Sequence, residues 1–236
     1  PANTGLGSSS SFAVGLVNAL FALQGKFVSK YEIASTAAKI EVDILKRKIG
    51  KQDHFAATYG NLNNLVFKKN ESVIINPIVA SSKTLNKFEN SLLMFYTGQQ
   101  RNSETVLKNQ HKINENQFEN LKELKELVNI SKNLLIKQNF KISEFGKLLH
   151  KNWEIKKKIN RFTSNKSLNR SYNIGMNAGA YGGKVLGAGN GGFLLFVCNK
   201  FNQYKIIKKL NNLKHIDIKF DYSGTRITYI DTTGEK

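Results

Sequence analysis

With 236 residues, 40% hydrophobic and 10% aromatic, the chain can build one large domain or two small ones, and no run of about 18 apolar residues offers a membrane span. The net charge of +19 reads as compositional bias giving a solvated basic surface, because arginine stands only at Arg47, Arg101, Arg161, Arg170 and Arg226 and the lysines are spread among many asparagines; what is left of the signal favours anionic ligands such as nucleotides and sugar phosphates over nucleic acid. One cysteine, Cys198, excludes an internal disulfide and fits a reducing cytoplasm, and the 4 scattered histidines lack the spacing of a zinc site.

The chain opens on Pro1 with no basic stretch followed by an apolar one, so no signal peptide is expected and the start reads as a cut inside a longer chain. Residues 1–11 read as a Gly/Ser loop. Phe12, Leu16, Leu20 and Leu23 then stand at helical spacing and predict a helix over 12–24, ended by Gly25 and Lys26. Ser29 and Glu32 form a capping-box pattern for a second helix, which runs through Ile33, Ala37, Ile40 and Ile44 to Gly50. Residues 51–60 read as a short connecting segment, and 62–68 with 72–76 as a hairpin around Asn70 and Glu71. A strand is expected over 92–97 and helices over 115–138, 143–158 and 167–179. A Gly-rich turn at 182–192 leads to an apolar strand at 193–198, a last helix at 203–212, and strands at 215–220 and 226–230. This order predicts an α+β fold with ferredoxin-like topology towards the C-terminus and a domain boundary near residue 85.

The opening segment, Pro1-Ala2-Asn3-Thr4-Gly5-Leu6-Gly7-Ser8-Ser9-Ser10-Ser11, carries the most information. Gly5 and Gly7 let the backbone approach a ligand with no Cβ in the way. The serines stand where the next helix begins. That end presents unpaired N–H groups and the positive pole of the helix dipole, which suits a phosphate chain. Serine hydroxyls add donors and a ligand for Mg2+. A flexible linker is the plain alternative, but a linker has no reason to run straight into a well-patterned helix. No Walker A sequence, G-x-x-x-x-G-K-[ST], occurs anywhere in the chain, so the loop belongs to another scheme.

Two carboxylates follow the loop. Glu41 lies among Ile40, Val42 and Ile44 on the second predicted helix, where pairing with Lys39 or Lys46 is the ordinary reading. Asp53 follows Gly50 in GKQDHFAA, where the ordinary role is to cap a following helix. Further on, Gly187, Gly189 and Gly192 make a formal G-x-G-x-x-G. A dinucleotide loop must open a helix, whereas this one leads into the β run FLLFVC, so a glycine-rich turn between two strands is expected. Asn190 within it tolerates positive φ.

Pro1 followed by Gly5-Leu6-Gly7-Ser8-Ser9 resembles the P-x-x-x-G-L-G-S-S signature of the GHMP kinases. The resemblance implies a two-domain α+β GHMP kinase fold that uses ATP and Mg2+. In that reading Gly5, Leu6, Gly7, Ser8, Ser9 and Ser10 wrap the ATP phosphates. Glu41, with Ser8 or Ser9, holds Mg2+, and Asp53, in the G-x-x-D segment Gly50-Lys51-Gln52-Asp53, orients or deprotonates the acceptor hydroxyl. Gly187, Gly189, Gly191 and Gly192 match the family's C-terminal glycine turn, which packs against the phosphate loop. Residues 1–85 correspond to what remains of the ATP-binding domain and 86–236 to the C-terminal domain.

The runs GLGSSSSFAVGLVNAL, GKQDHFAATYG, YTGQQR and GAYGGKVLGAGNGGFLLF look similar to the bacterial D-glycero-D-manno-heptose 7-phosphate kinases. This similarity implies phosphorylation of the anomeric hydroxyl to a 1,7-bisphosphate, which feeds nucleotide-activated heptose for surface polysaccharide. A fucose- or galactose-type acceptor, or an inactive relic, is the alternative. Arg101 and Lys184 are candidate contacts for the sugar phosphate, each set against a surface reading. The implied partners are a sugar phosphate and ATP in the cytoplasm, with neither nucleic acid nor membrane. The family's N-terminal strands are expected to be missing, and a sheet lacking them has an open edge and a half-built site. The chain alone is therefore expected to be inactive.

Overall fold

The computed structural model describes residues 5–99 and 115–229. They form two compact units. One holds Gly7–Asn76 with the segment that begins at Phe220, and the other holds Pro77–Lys219 together with Gly5 and Leu6.

In the first unit, α1 (Ser8–Leu23) is followed by α2 (Lys30–Lys39), a π-helical turn (Ile40–Ile44), α3 (Gln52–Tyr59) and the hairpin strands β1 (Asn63–Phe67) and β2 (Val73–Pro77). The N-cap half of the expected capping box forms: the Ser29 side chain accepts from the Glu32 N–H at 3.1 Å. Val14 and Val17 of α1 pack on Ile33 and Ala37 of α2. Ala34 beside them joins Phe55 of α3 and Val73 of β2. Small residues along α2 let the neighbouring helices come close.

Several expectations need correction. The second helix does not run to Gly50; it widens into the π turn at Ile40 and ends at Ile44, and Lys46 then takes a left-handed φ of 53°. Residues 51–60 are not a connector. They contain α3, which buries His54, Phe55 and Thr58 on one side. Asp53 does not cap that helix; Lys51 is its N-cap and Asp53 lies in its first turn. No strand occupies the described residues 226–229, and the strand expected over 215–220 shrinks to Lys214–Ile216. The segment after Phe220 instead lies against α3 and α1. Asn61 N–H donates to the Asp221 carbonyl (2.6 Å), Thr225 N–H to the Thr58 carbonyl (3.2 Å) and Asn18 Nδ2 to Thr225 Oγ1 (3.1 Å).

The second unit contains α4 (Ser82–Glu89), β3 (Leu92–Tyr96), α5 (Glu115–Ile136), α6 (Ile142–Ile159), a 3-10 turn (Arg161–Thr163), α7 (Lys166–Asn177), β4 (Gly182–Val185), β5 (Phe193–Val197), α8 (Lys200–Lys209) and β6 (Lys214–Ile216). Its four strands lie in the order β4-β5-β3-β6, with every neighbouring pair antiparallel. This is the ferredoxin-like order, with α5, α6 and α7 filling the first crossover. Phe95, Leu194 and Phe196 of the sheet are buried with Trp153 of α6 and Leu168 and Tyr172 of α7. Each large side chain so removed from water contributes roughly 2–3 kcal/mol before entropy is counted. Helix α4 was not foreseen. The last helix starts earlier than expected because the Asn199 side chain caps it at the Asn202 N–H. The glycine-rich turn is shorter than expected, since 182–185 is already β4. No helix among the described residues is long and apolar enough to cross a membrane.

Candidate active site

Gly7 sets the geometry at the start of α1. As the N-cap it takes φ 68°, in the left-handed region, with no side-chain cap among the described residues. The first-turn amides therefore remain available to an anion. Ser8 is exposed, Ser9 half-buried and Ser10 buried, so only the first two offer accessible hydroxyls. A Cβ added at Gly7 would stand 3.1 Å from Asp53 Oδ2, which places the Asp53 side chain directly against the turn. Gly5 also has positive φ, 83°.

Glu41 lies behind this turn, on the π-helical turn, and is only 3% exposed. Such turns inside helices recur at functional sites because they re-aim a side chain. The Ser9 hydroxyl donates to Glu41 Oε1, and Arg47 Nη1 donates to the same oxygen at 2.6 Å and also to Ser9 Oγ. His54 Nε2 meets Glu41 Oε2 at 2.8 Å. The ion-pair partner of Glu41 is thus Arg47, not Lys39 or Lys46. The left-handed Lys46 turns the chain back, so that the Arg47 N–H bonds the Glu41 carbonyl at 3.0 Å. His54 is fully buried, and its Nδ1 has no hydrogen-bond partner among the described residues.

The two carboxyls are tuned in opposite directions. Burial pushes Glu41 up, but hydrogen bonds from Ser9 and His54 and the charges of His54 and Arg47 outweigh it and hold its pKa below the ordinary value. Asp53 is raised. Protein packed around its carboxyl disfavours the charge and the Glu41 carboxylate adds to this, against the lowering effect of His54. A carboxylate raised in this way is a better proton acceptor than an ordinary one. Among the described residues no group of three or more His, Cys, Asp or Glu side chains gathers to hold a metal. The oxygens of Ser9 and Glu41 suit a cation that takes its other ligands from phosphate and water, as Mg2+ does.

The second glycine turn lies in the other compact unit, between β4 and β5. Gly187, Gly189, Gly191 and Gly192 all have positive φ, and so does Asn190 at 61°. A Cβ at Gly189 would come within 2.3 Å of the Thr163 carbonyl. Asn165 Nδ2 donates to Asn190 Oδ1 at 3.0 Å. Lys184 of β4 is part-buried rather than solvated. It donates to Asn152 Oδ1 at 2.8 Å, and burial pulls its pKa down to about 8. Arg101 lies outside the described residues.

Gly7, Ser9, Glu41 and Asp53 come together as the sequence suggested. Arg47 and His54 were missed. Arg47 carried a faint signal as a rare arginine in a lysine-rich chain, and His54 as the neighbour of Asp53. A cavity of about 290 Å³ is lined by Tyr31, Ser35, Lys39, Lys51, Glu71 and Ser72 among others, but by none of the gathered residues.

Known proteins resemble this chain over most of its length. The family described as GHMP kinases N terminal domain matches residues 1–61, and GHMP kinases C terminal matches 117–215, about two thirds of the chain together. A D-glycero-alpha-D-manno-heptose 7-phosphate kinase of Campylobacter jejuni is 32% identical over 214 residues, 89% of this chain and 62% of that protein. A mevalonate kinase of Methanocaldococcus jannaschii is 29% identical over 216 residues, 89% of this chain and 63% of that protein. The chain therefore spans a little over six-tenths of the length of these curated relatives. Among solved structures, a D-glycero-D-manno-heptose 1-phosphate kinase from Bacteriodes thetaiotaomicron superposes with a TM-score of 0.74 at 26% identity, covering 97% of this chain and 66% of that one.

Proposed function

The chain belongs to the GHMP kinase family, and from that premise we propose that its protein transfers the γ-phosphoryl group of ATP to a hydroxyl of a heptose phosphate. The observation that carries this reading is the meeting of Ser9, Glu41 and Asp53 around the Gly7 turn within one compact unit. Phosphoryl transfer needs charge neutralised on the phosphates and an aligned nucleophile relieved of its proton. The helix N-terminal amides from Gly7 to Ser10, with Gly5 and Leu6 before them, line the phosphates. Asp53, with its raised pKa, takes the acceptor's proton or fixes the hydroxyl in line. Glu41 and Ser9 are the residues to hold Mg2+, which when bound neutralises phosphate charge. His54 keeps the Glu41 carboxylate turned towards Ser9 through the opposite oxygen. Arg101 and Lys184 remain the candidate contacts for the acceptor's phosphate.

Two of the similar proteins are named for heptose phosphates, one for the 7-phosphate and one for the 1-phosphate. This supports a heptose phosphate acceptor, and we assign the 7-phosphate, giving the 1,7-bisphosphate in the cytoplasm. The test is turnover of the whole protein with ATP, Mg2+ and a panel: heptose 7-phosphate, heptose 1-phosphate, fucose, galactose and mevalonate. ADP release gives the rate and phosphorus NMR of the product gives the position. The expected result is a kcat/KM for heptose 7-phosphate at least about tenfold above the others, because a site built for a charged phosphate rejects acceptors that leave its donors unpaired. Preference for fucose or galactose reassigns the acceptor within the family, and no turnover with any member rejects the reading.

A further inference from the structure

Arg47 stands where the cation has to go. Its Nη1 is 2.6 Å from Glu41 Oε1 and also bonds Ser9 Oγ, the same two oxygens assigned to Mg2+. Magnesium binds its oxygens at roughly 2.0–2.1 Å and demands near-octahedral room. A guanidinium nitrogen on both oxygens occupies that space, so the two cations exclude each other there. We propose that Arg47 is an internal counter-ion that closes the cation site in the nucleotide-free protein and is displaced only when the metal arrives together with nucleotide phosphates.

Three observations carry this. The first is the balance of charge. Glu41 is 3% exposed, and a buried carboxylate oxygen is costly without a positive partner, which Arg47 supplies at Oε1. His54 holds the other oxygen, Oε2, and does not compete for the metal side. The second is the ligand count. Among the described residues no group of three or more acidic, histidine or cysteine side chains converges, so the described side chains offer a divalent ion few ligands against a bound guanidinium. A triphosphate changes that. It supplies metal ligands and gives the departing guanidinium a new acceptor, since arginine pairs well with phosphate. The third is the backbone. The π turn aims Glu41 and the left-handed Lys46 folds Arg47 back over it, fixing the main chain through Arg47 N–H to the Glu41 carbonyl at 3.0 Å. The Arg47 side chain is 37% exposed, so it can leave while its backbone stays. Non-glycine residues at positive φ are sparse and cluster where strain serves a site.

The inference rests on the reading of Ser9 and Glu41 as cation ligands, and its test separates the two. Mn2+ serves as the probe, with free ion followed by electron paramagnetic resonance on the whole protein, with and without a non-hydrolysable ATP analogue. Wild type is expected to bind Mn2+ weakly alone and tightly with the analogue. Arg47→Met should raise nucleotide-free Mn2+ affinity by about tenfold or more, in line with the loss of one competing charge-assisted contact. Adding Glu41→Gln to that variant should abolish the gain. If Arg47→Met leaves nucleotide-free affinity unchanged while Glu41→Gln weakens Mn2+ in the presence of the analogue, Arg47 is an ordinary ion pair and only this inference falls. If Glu41→Gln has no effect with the analogue, the cation site itself is misassigned and both fall. Should Arg47→Met fail to fold, Arg47→Lys carries the test. A single ammonium cannot bridge both oxygens as the fork does, so a several-fold gain is expected, and an unchanged affinity overturns the proposal.

Discussion

Glu41 and Asp53 lie near the same turn, yet their surroundings drive them apart: one is held ionised by Arg47, His54 and Ser9, the other has its charge disfavoured by packing and by Glu41 itself. Carboxyl pairs tuned in this way divide their work. Asp53→Asn keeps the shape but removes the proton acceptor. Turnover is expected to fall by about a hundredfold or more while calorimetry shows ATP binding unchanged. Retained turnover removes Asp53 from the chemistry. Lys184 gives a second residue-scale prediction, on stability. Its pKa falls from an ordinary 10.5 to about 8 in the fold. Between those values the unfolded chain holds a proton that the folded chain has released, so stability rises with pH across that window, and below it the folded state carries a disfavoured charge. Lys184→Met should flatten that rise in denaturation midpoints. Identical pH slopes for variant and wild type would contradict it. Gly7 and Ser9 were legible from the Gly/Ser pattern that opens a helix, whereas Glu41 and Asp53 were singled out only by the resemblance to the GHMP kinases. Arg47 and His54 were not, because their roles depend on a π turn and a left-handed Lys46 that no periodicity announces.

At the scale of elements, length decided what could be read. Helices α5 and α6, at 22 and 18 residues, repeat their apolar positions often enough to declare a period. Helices α3 and α4 have 8 residues each and offer barely two turns, so α3 passed as a connector and α4 went unseen. Strand β4, GGKV, has almost no side chains to alternate. It is held by close approach instead: a Cβ at Gly182 would stand 1.8 Å from the Gly146 carbonyl of α6, and one at Gly146 would stand 2.4 Å from Tyr181 Cβ. Gly182→Ala must push helix from sheet and should cost about 3 kcal/mol, at the upper end for overpacking, because the obstacle is backbone. Gly15, in the interior of α1, has nothing within 4 Å of an added Cβ among the described residues. Gly15→Ala should therefore stabilise by roughly 0.5–1 kcal/mol through helix propensity. Chemical denaturation measures both, and equal effects from the two would refute the contact argument.

For the molecule as a whole, the side chains that announced α1 are not the ones it buries. Val14 and Val17 face the core, while Phe12, Leu16, Leu20 and Leu23 are 72%, 47%, 47% and 83% exposed. They stand three and four residues apart and so share one face of the helix, an apolar stripe larger than scattered surface hydrophobes produce. Phe27 beyond the end of α1 is fully exposed as well. A stripe of this kind contributes little to the stability of the fold it sits on, since its side chains touch few partners, but it drives association in water. The 236-residue chain on its own is therefore expected to bind a hydrophobic dye and to self-associate in light scattering. The double variant Leu16→Lys with Leu20→Lys should reduce both while shifting the denaturation midpoint by no more than about 0.5 kcal/mol in equivalent stability, as surface changes do. If that variant instead loses a kilocalorie or more, those leucines are packed in solution and the exposed face is not a face at all. If dye binding persists unchanged, the association lies elsewhere on the molecule.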